Sequence, residues 1–243
     1  MLDKVIAFFE SLGFTKVPEQ ISFLLDPVNI PFAIWETLYA PLVATVFAYV
    51  IGLPLGVLLV IGEENGIRPL PKALMQTLNT VINLLRSIPF LILMVLVFPL
   101  ARLILGTSIG TAATIVPLTV AAAPYVARLV EASLREMDRG VVEAAQSIGC
   151  STWQIVTKVM LPECLPSLIN GATNATITIL SYGAMAGNIG GGGLGAISLM
   201  RGHGRNQTLV LYAAVIILVI LVQIIQSIGT ALSIKADKRI TKK

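Results

Sequence analysis

The sequence predicts an all-α fold: a polytopic helical membrane protein with five transmembrane helices and a patterned cytosolic loop between the third and fourth. Three observations carry this. Of the 243 residues, 56% are hydrophobic and 12% charged, about half the charged share of an average soluble domain. Four uncharged windows, Thr37–Gly62, Leu103–Ala127, Cys164–Met200 and Asn206–Ile234, each reach the length of about 20 apolar residues that a helix needs to cross a bilayer core. A fifth, Ala73–Ala101, is interrupted only by Arg86. In hydrocarbon the backbone must bond within its own segment, so such runs become helices and not open strands.

Residues 1–35 form an amphipathic amino-terminal segment and elbow. "MLDKVIAFFESLGF" spreads Asp3, Lys4 and Glu10 through a short apolar run and lacks the small-residue cleavage pattern of a signal peptide. It predicts a helix lying at the membrane interface. "PEQISFLLDPVNIPFAIW" reads as a Pro-broken connector into the first span. Residues 36–234 are the transmembrane region, with spans at Leu38–Ile61, Leu78–Ala101, Ile109–Ala127, Pro166–Asn188 and Leu209–Ile234. All 13 acids lie outside these spans, which leaves no intramembrane carboxylate for a proton relay.

Orientation follows from the basic residues, which accumulate on the cytoplasmic side. Arg68, Lys72 and Arg86, then Arg128, Arg135, Arg139 and Lys158, then the basic tail 235–243 all fall on one face. The amino terminus is therefore expected outside and the carboxyl terminus in the cytoplasm of a cell (inner) membrane. The net charge of +4 reflects this bias and gives no nucleic-acid groove. Arg86 is expected at the cytosolic face, either snorkelling to the headgroups or facing a partner. Pro89, three residues on, would loosen the helix.

Several function classes drop out. No internal repeat is present and five is an odd number, which argues against a transporter made of two duplicated halves. No GxxxxGK[ST] phosphate loop occurs, so this chain does not energise transport by itself. Cys150 and Cys164 have no metal-ligand spacing and read as ordinary reduced residues. No nucleophile–base pair or metal cluster appears, so an enzyme is not expected, nor a cofactor or metal in this chain.

The cytosolic loop 131–163 is patterned as helix, glycine stop, helix. Val141–Ile148 is a short helix with small residues, closed by Gly149, which tolerates a left-handed cap. Ser151 opens a second helix, with Gln154 completing a capping box. Ile155, Val156, Val159 and Met160 supply its apolar face and Pro162 helps end it. Such a knob suits a groove on a cytosolic partner, or else covers the ends of the spans.

The spacing adds to this. Glu143-Ala144-Ala145, three residues, Gly149, nine residues, Val159, one residue, Leu161-Pro162 resembles the EAA loop of ABC importer permeases, with Val159 in place of Ile. The resemblance implies a coupling helix that docks on an ATPase subunit. "WETL" at Trp35–Leu38, "RSIPF" at Arg86–Phe90, "GTSIGTAATIVPLTVAAAPYVARLVE" at Gly106–Glu131 and "GGGLG" at Gly191–Gly195 are similar to the methionine-type uptake permeases. That likeness implies a second copy of the chain, two ATPase subunits that bind the ATP and Mg, and an external substrate-binding lipoprotein. The amino-terminal 34 residues are longer than the likeness leads one to expect.

Two further groups are singled out. Asn170, Asn174, Thr178 and Ser181 or Tyr182 recur every three or four residues and share a face of the fourth span. Hydrogen bonding between helices accounts for Ser and Thr there, and two asparagines one turn apart favour a translocation pathway. Gly187, Gly190, Gly191, Gly192, Gly193 and Gly195 are a candidate gate or hinge. They satisfy GxGxxG at Gly190–Gly195, but no strand precedes them, so a dinucleotide site is rejected. His203, the only histidine, reads as solvated. The chain is therefore expected to be the transmembrane permease subunit of a homodimeric ATP-binding-cassette importer for methionine. The alternative is an ion-coupled secondary transporter or channel subunit.

Overall fold

The computed structural model describes residues 2–237, with side chains from Lys4 onward. Met1 and the tail's Lys238, Arg239, Lys242 and Lys243 lie outside the described residues. Among the described residues the regular structure is entirely helical. Twelve α-helices follow in chain order: α1 (Leu2–Ser11), α2 (Val17–Leu25), α3 (Asn29–Ile61), α4 (Lys72–Ser87), α5 (Phe90–Leu105), α6 (Thr111–Arg135), α7 (Arg139–Ser147), α8 (Thr152–Ile155), α9 (Leu161–Glu163), α10 (Leu165–Ala186), α11 (Gly193–Ala196) and α12 (Thr208–Ala236). A wide π turn, Val156–Met160, joins α8 to α9, and a second, Ile197–His203, follows α11.

Three of these helices, α3, α6 and α12, are each long and apolar enough to cross a membrane. The predicted second span, Leu78–Ala101, is not one helix. It breaks between Ser87 and Phe90, and α4 and α5 meet at 110°. Proline disfavours helical backbone in the residue before it, and Ile88, before Pro89, is extended at φ −79, ψ 126. Taken together, the bent pair makes a fourth candidate crossing. α10 has the length, at 22 residues, but its Asn, Thr and Ser residues hold its hydropathy below that of the other spans.

The acids also sit differently from expectation. α3 starts at Asn29 and α6 runs to Arg135, so Glu36 and Glu131 lie inside long helices that extend past the apolar windows. Pro31 is tolerated in the first turn of α3, where the missing N–H has no intrahelical partner anyway. The elbow proves to be helix, turn, helix: α2, a break at Asp26–Val28, then α3.

The chain forms two compact units. The first comprises the chain up to Val43, Met94–Leu118 and Thr178–Ile224. Its core includes Ala33, Leu194 and Ala214, with Ile34, Ile197 and Leu218 packed against them. The second comprises Ala44–Leu93, Thr119–Ile177 and the chain from Ile225, with Leu59, Ile82 and Ala127 in its core. Here the Gly52/Gly56 pair lets α3 touch the backbone of α6. A Cβ on Gly52 would come within 2.8 Å of the Ala123 carbonyl, and one on Gly56 within 2.6 Å of the Ala127 carbonyl. Small residues four apart permit this close approach.

Candidate functional site

The loop 131–163 folds as its caps dictate. Asp138 starts α7 by accepting from the Gly140 N–H at 2.8 Å. Gly149 ends it at φ +81, donating its N–H to the Gln146 carbonyl at 2.9 Å. Ser151 and Gln154 then form a reciprocal capping box, at 3.3 and 2.9 Å, which satisfies two donors that a helix start leaves open. Ile155, Val156 and Met160 are buried and Val159 half-buried, as their spacing requires. Pro162 does not stop the second helix. The chain passes through the π turn and continues as α9 to Glu163, the wide turn lying just where a proline ring would crowd the carbonyl four residues back.

What this knob presents is specific. Glu143, Ala144 and Gly149 are exposed and Ala145 is buried. Ile148 and Trp153, on either side of Gly149, are 80% and 75% exposed. Large apolar groups on a polar, charged loop form a contact surface that this chain does not itself cover. Beside α7 lies a cavity of about 290 Å³ with Glu143, Gln146 and Arg139 on one side and Glu63 and Arg135 on the other.

A charged network underlies that cavity. Arg128 bonds Glu131 at 2.6 Å, and also Asn79 and Asn83 on α4 at 2.8 and 2.9 Å. Glu131 in turn holds Arg135 at 2.8 Å, and Arg135 pairs with Glu63 beyond the end of α3. The last turns of α6 are thereby tied to α3 and α4 within one unit. Arg86 ends α4, exposed, where a cation meets the negative end of the helix.

On α10, Asn170, Asn174 and Ser181 are exposed and Thr178 and Tyr182 half-exposed. The predicted polar face is thus turned outward from the body of a single copy. Thr173 and Thr176, bordering it, bond the carbonyls four residues back on their own helix, Ile169 and Ala172.

The glycine run forms a packed corner of the first unit. A Cβ on Gly187 would collide with the Ala196 backbone, and one on Gly195 with Ala184. Gly190, exposed at φ +96, accepts from the Gly110 N–H at 2.8 Å. Gly191 and Gly192 lead to Gly193, whose φ of +83 disfavours a side chain. Glu36 and Thr37 hold this corner. Glu36 accepts from Thr111 Oγ1 at 2.5 Å and from the Gly193 N–H at 2.8 Å, and Thr37 Oγ1 accepts from the Leu194 N–H at 2.8 Å. His203 is exposed.

The amino-terminal segment also has a place. Gln20 is fully buried, and its Oε1 accepts from the Leu209 and Val210 N–H groups at 2.8 and 3.3 Å. It thus satisfies the open donors at the start of α12. Glu19 accepts from Gln207 Nε2 at 2.8 Å, and the Arg201 guanidinium lies 3.9 Å from the centre of the Phe23 ring.

The family model of binding-protein-dependent transport system inner membrane components matches residues 52–237. The chain belongs to that family. Among its relatives, the probable D-methionine transport system permease protein MetI of Vibrio cholerae is 48% identical over 218 residues, covering 89% of this chain and 96% of that one. The D-methionine transport system permease protein MetI of Escherichia coli is 49% identical over 154 residues, 63% of this chain and 70% of that one. Among solved structures, a chain of the inward-facing MetNI methionine ABC transporter superposes with a TM-score of 0.82 at 45% identity, covering 84% of this chain and 94% of that one. A chain of an amino acid ABC transporter with histidines shares the fold at 18% identity, with a TM-score of 0.67.

Against this family background, some parts of the site were not legible in sequence. Ile148 and Trp153 look like ordinary core residues until their exposure is seen. Arg128, Glu131 and Arg135 at i, i+3 and i+7 gave a signal, but their asparagine partners on α4 are more than 40 residues away. The roles of Gln20 and Glu36 rest on contacts across more than 150 residues, and no local pattern marks them.

Proposed function

We propose that this chain is the permease subunit of an ABC importer for methionine, working as a pair of identical copies with five crossings each. The observation that carries the reading is the α7–Gly149–α8 knob, which keeps the EAA spacing and bares Ile148 and Trp153 beside the glycine turn. A separate ATPase subunit, which binds the ATP and Mg, seats this knob, one for each copy. An external binding protein delivers substrate on the opposite face. The relatives' names and the 45% identity to a methionine transporter chain support the substrate. The amino terminus lies outside and the carboxyl terminus in the cytoplasm, as the distribution of basic residues implies.

The mechanism is alternating access. Closure of the ATPase pair on ATP brings the two knobs together. The Arg128–Glu131–Arg135–Glu63 network passes that movement from α7 to the ends of α3, α4 and α6. The exposed polar faces of two α10 helices, Asn170, Asn174, Thr178, Ser181 and Tyr182, then line a path that opens outward, and hydrolysis resets it. The glycine corner serves as the outer gate, its Glu36 bonds setting the closed state.

The test is ATP-driven uptake of labelled methionine into liposomes that hold this chain, the ATPase and the binding protein. Gly149→Trp is expected to abolish uptake. A Cβ at Gly149 meets nothing within 4 Å in this chain, but its φ of +81 strains any side chain. With Gly149→Ala carrying the same backbone strain and keeping uptake, a loss in Gly149→Trp reports a blocked partner. Normal uptake by that variant overturns the coupling assignment. Uptake under an ion gradient without ATP overturns the importer reading in favour of ion-coupled transport.

A further inference from the structure

α12 is the most apolar long helix of the chain, yet Gln223, Gln226, Ser227 and Thr230 are all exposed on it. Their spacing of three, one and three residues places them on one face, while the exposed Ile220, Ile224 and Ile228 turn to the neighbouring one. Gln226 donates to Thr230 at 3.3 Å, which uses a fraction of what two glutamine amides require. Amides facing hydrocarbon lack partners, so the Ile face suits lipid and the Gln face suits water.

At one end of that face opens a groove of about 440 Å³. Leu180, Met185, Leu199 and Val222 line its apolar part, and Ser181 and Gln223 stand among its polar residues. It therefore joins the α10 face to the α12 face. None of its lining residues is charged. The other large cavity of this unit, about 540 Å³, is lined by Glu36, Arg201 and Arg205 and suits a different chemistry.

We propose that this groove is a substrate seat in the translocation path, taking the neutral, apolar side chain of the transported amino acid while Ser181 and Gln223 face its polar end. The proposal rests on the permease reading and goes beyond it by assigning a site and a selectivity to this chain itself. An apolar floor with a soft, adaptable methionine accepts a flexible thioether or unbranched aliphatic chain. A charged side chain would lose its water and gain no counter-charge.

Two measurements on the reconstituted complex test it. Val222→Trp fills the groove, and methionine uptake should fall about tenfold while hydrolysis stimulated by the binding protein stays close to wild type. In a Cys150→Ser, Cys164→Ser background, Gln223→Cys should react with a water-soluble thiol reagent and be slowed by saturating methionine, but not by aspartate or lysine. Ile224→Cys should stay unreactive. Undiminished uptake by Val222→Trp overturns the proposal, as does an unreactive or unprotected Gln223→Cys. Should Val222→Trp lose stimulated hydrolysis as well, the labelling decides alone. A wild-type complex that imports no methionine refutes the substrate reading. The groove then stands if another neutral amino acid protects Gln223→Cys and falls if none does.

Discussion

At Gln20 a single side chain decides how the start of α12 is satisfied. Helix starts leave N–H groups without partners, and those of Leu209 and Val210 are directed into a fully buried amide oxygen. Gln20→Ala removes the acceptor and leaves both donors with no protein partner and little access to water, which costs about 1–3 kcal/mol. Its Nε2 also donates to the Thr15 carbonyl at 2.5 Å, an acceptor that the alanine variant strands as well. Gln20→Met keeps the bulk and loses both sets of bonds. Thermal unfolding in detergent should therefore show a clear fall in Tm for both variants. A methionine variant as stable as wild type would mean that the side chain acts through packing alone. Glycine corner positions behave differently, because the obstacle there is backbone. Gly187→Ala would drive a methyl into Ala196, and such overpacking costs about 1–3 kcal/mol with no flexible neighbour to yield.

Between elements, burial decides which ion pairs matter. Glu131 is 10% and Arg128 20% exposed, whereas Arg135 and Glu63 are 47% and 34% exposed. Removing one partner of a buried pair strands a charge and costs about 3–5 kcal/mol, and an exposed pair contributes about 0–1 kcal/mol. Glu131→Ala should therefore lower stability far more than Glu63→Ala, and Arg128→Met with Glu131→Leu should recover much of the loss. Chemical denaturation of the three variants orders them, and a larger effect at Glu63 would refute the ranking. The same contrast between local and distant contacts sets what could be read in advance. Ser151–Gln154, Gly149 and the long apolar helices were legible because caps and hydropathy act within a few residues. Pro89 was read as loosening a span, but its backbone effect on Ile88 redirects the chain altogether. The Gln face of α12 escaped notice because its residues lie in the most apolar run of the chain, where a mean over the helix hides them.

At the scale of the whole molecule, one copy leaves two kinds of surface unfinished. Apolar residues such as Ile220, Ile224 and Ile228 are half exposed along α12, as lipid-facing residues are. Asn170 on α10, and Gln223 and Gln226 on α12, are exposed too, and lipid offers such amides nothing. In the proposed pair of copies a two-fold axis would set each polar face opposite its twin and enclose water between them. The arrangement has a kinetic consequence. If each complex holds two copies and both knobs must be driven, one Gly149→Trp copy should silence its partner. Equal co-expression of wild-type and Gly149→Trp chains, assembled at random, then leaves about a quarter of complexes with two working knobs. Uptake per complex should fall to about that level, while a permease acting as independent single copies retains about half. Tagging the two versions differently and purifying the mixed complex sharpens the contrast. A mixed complex that transports at half the wild-type rate shows that one knob suffices, and removes the requirement for paired closure from the mechanism.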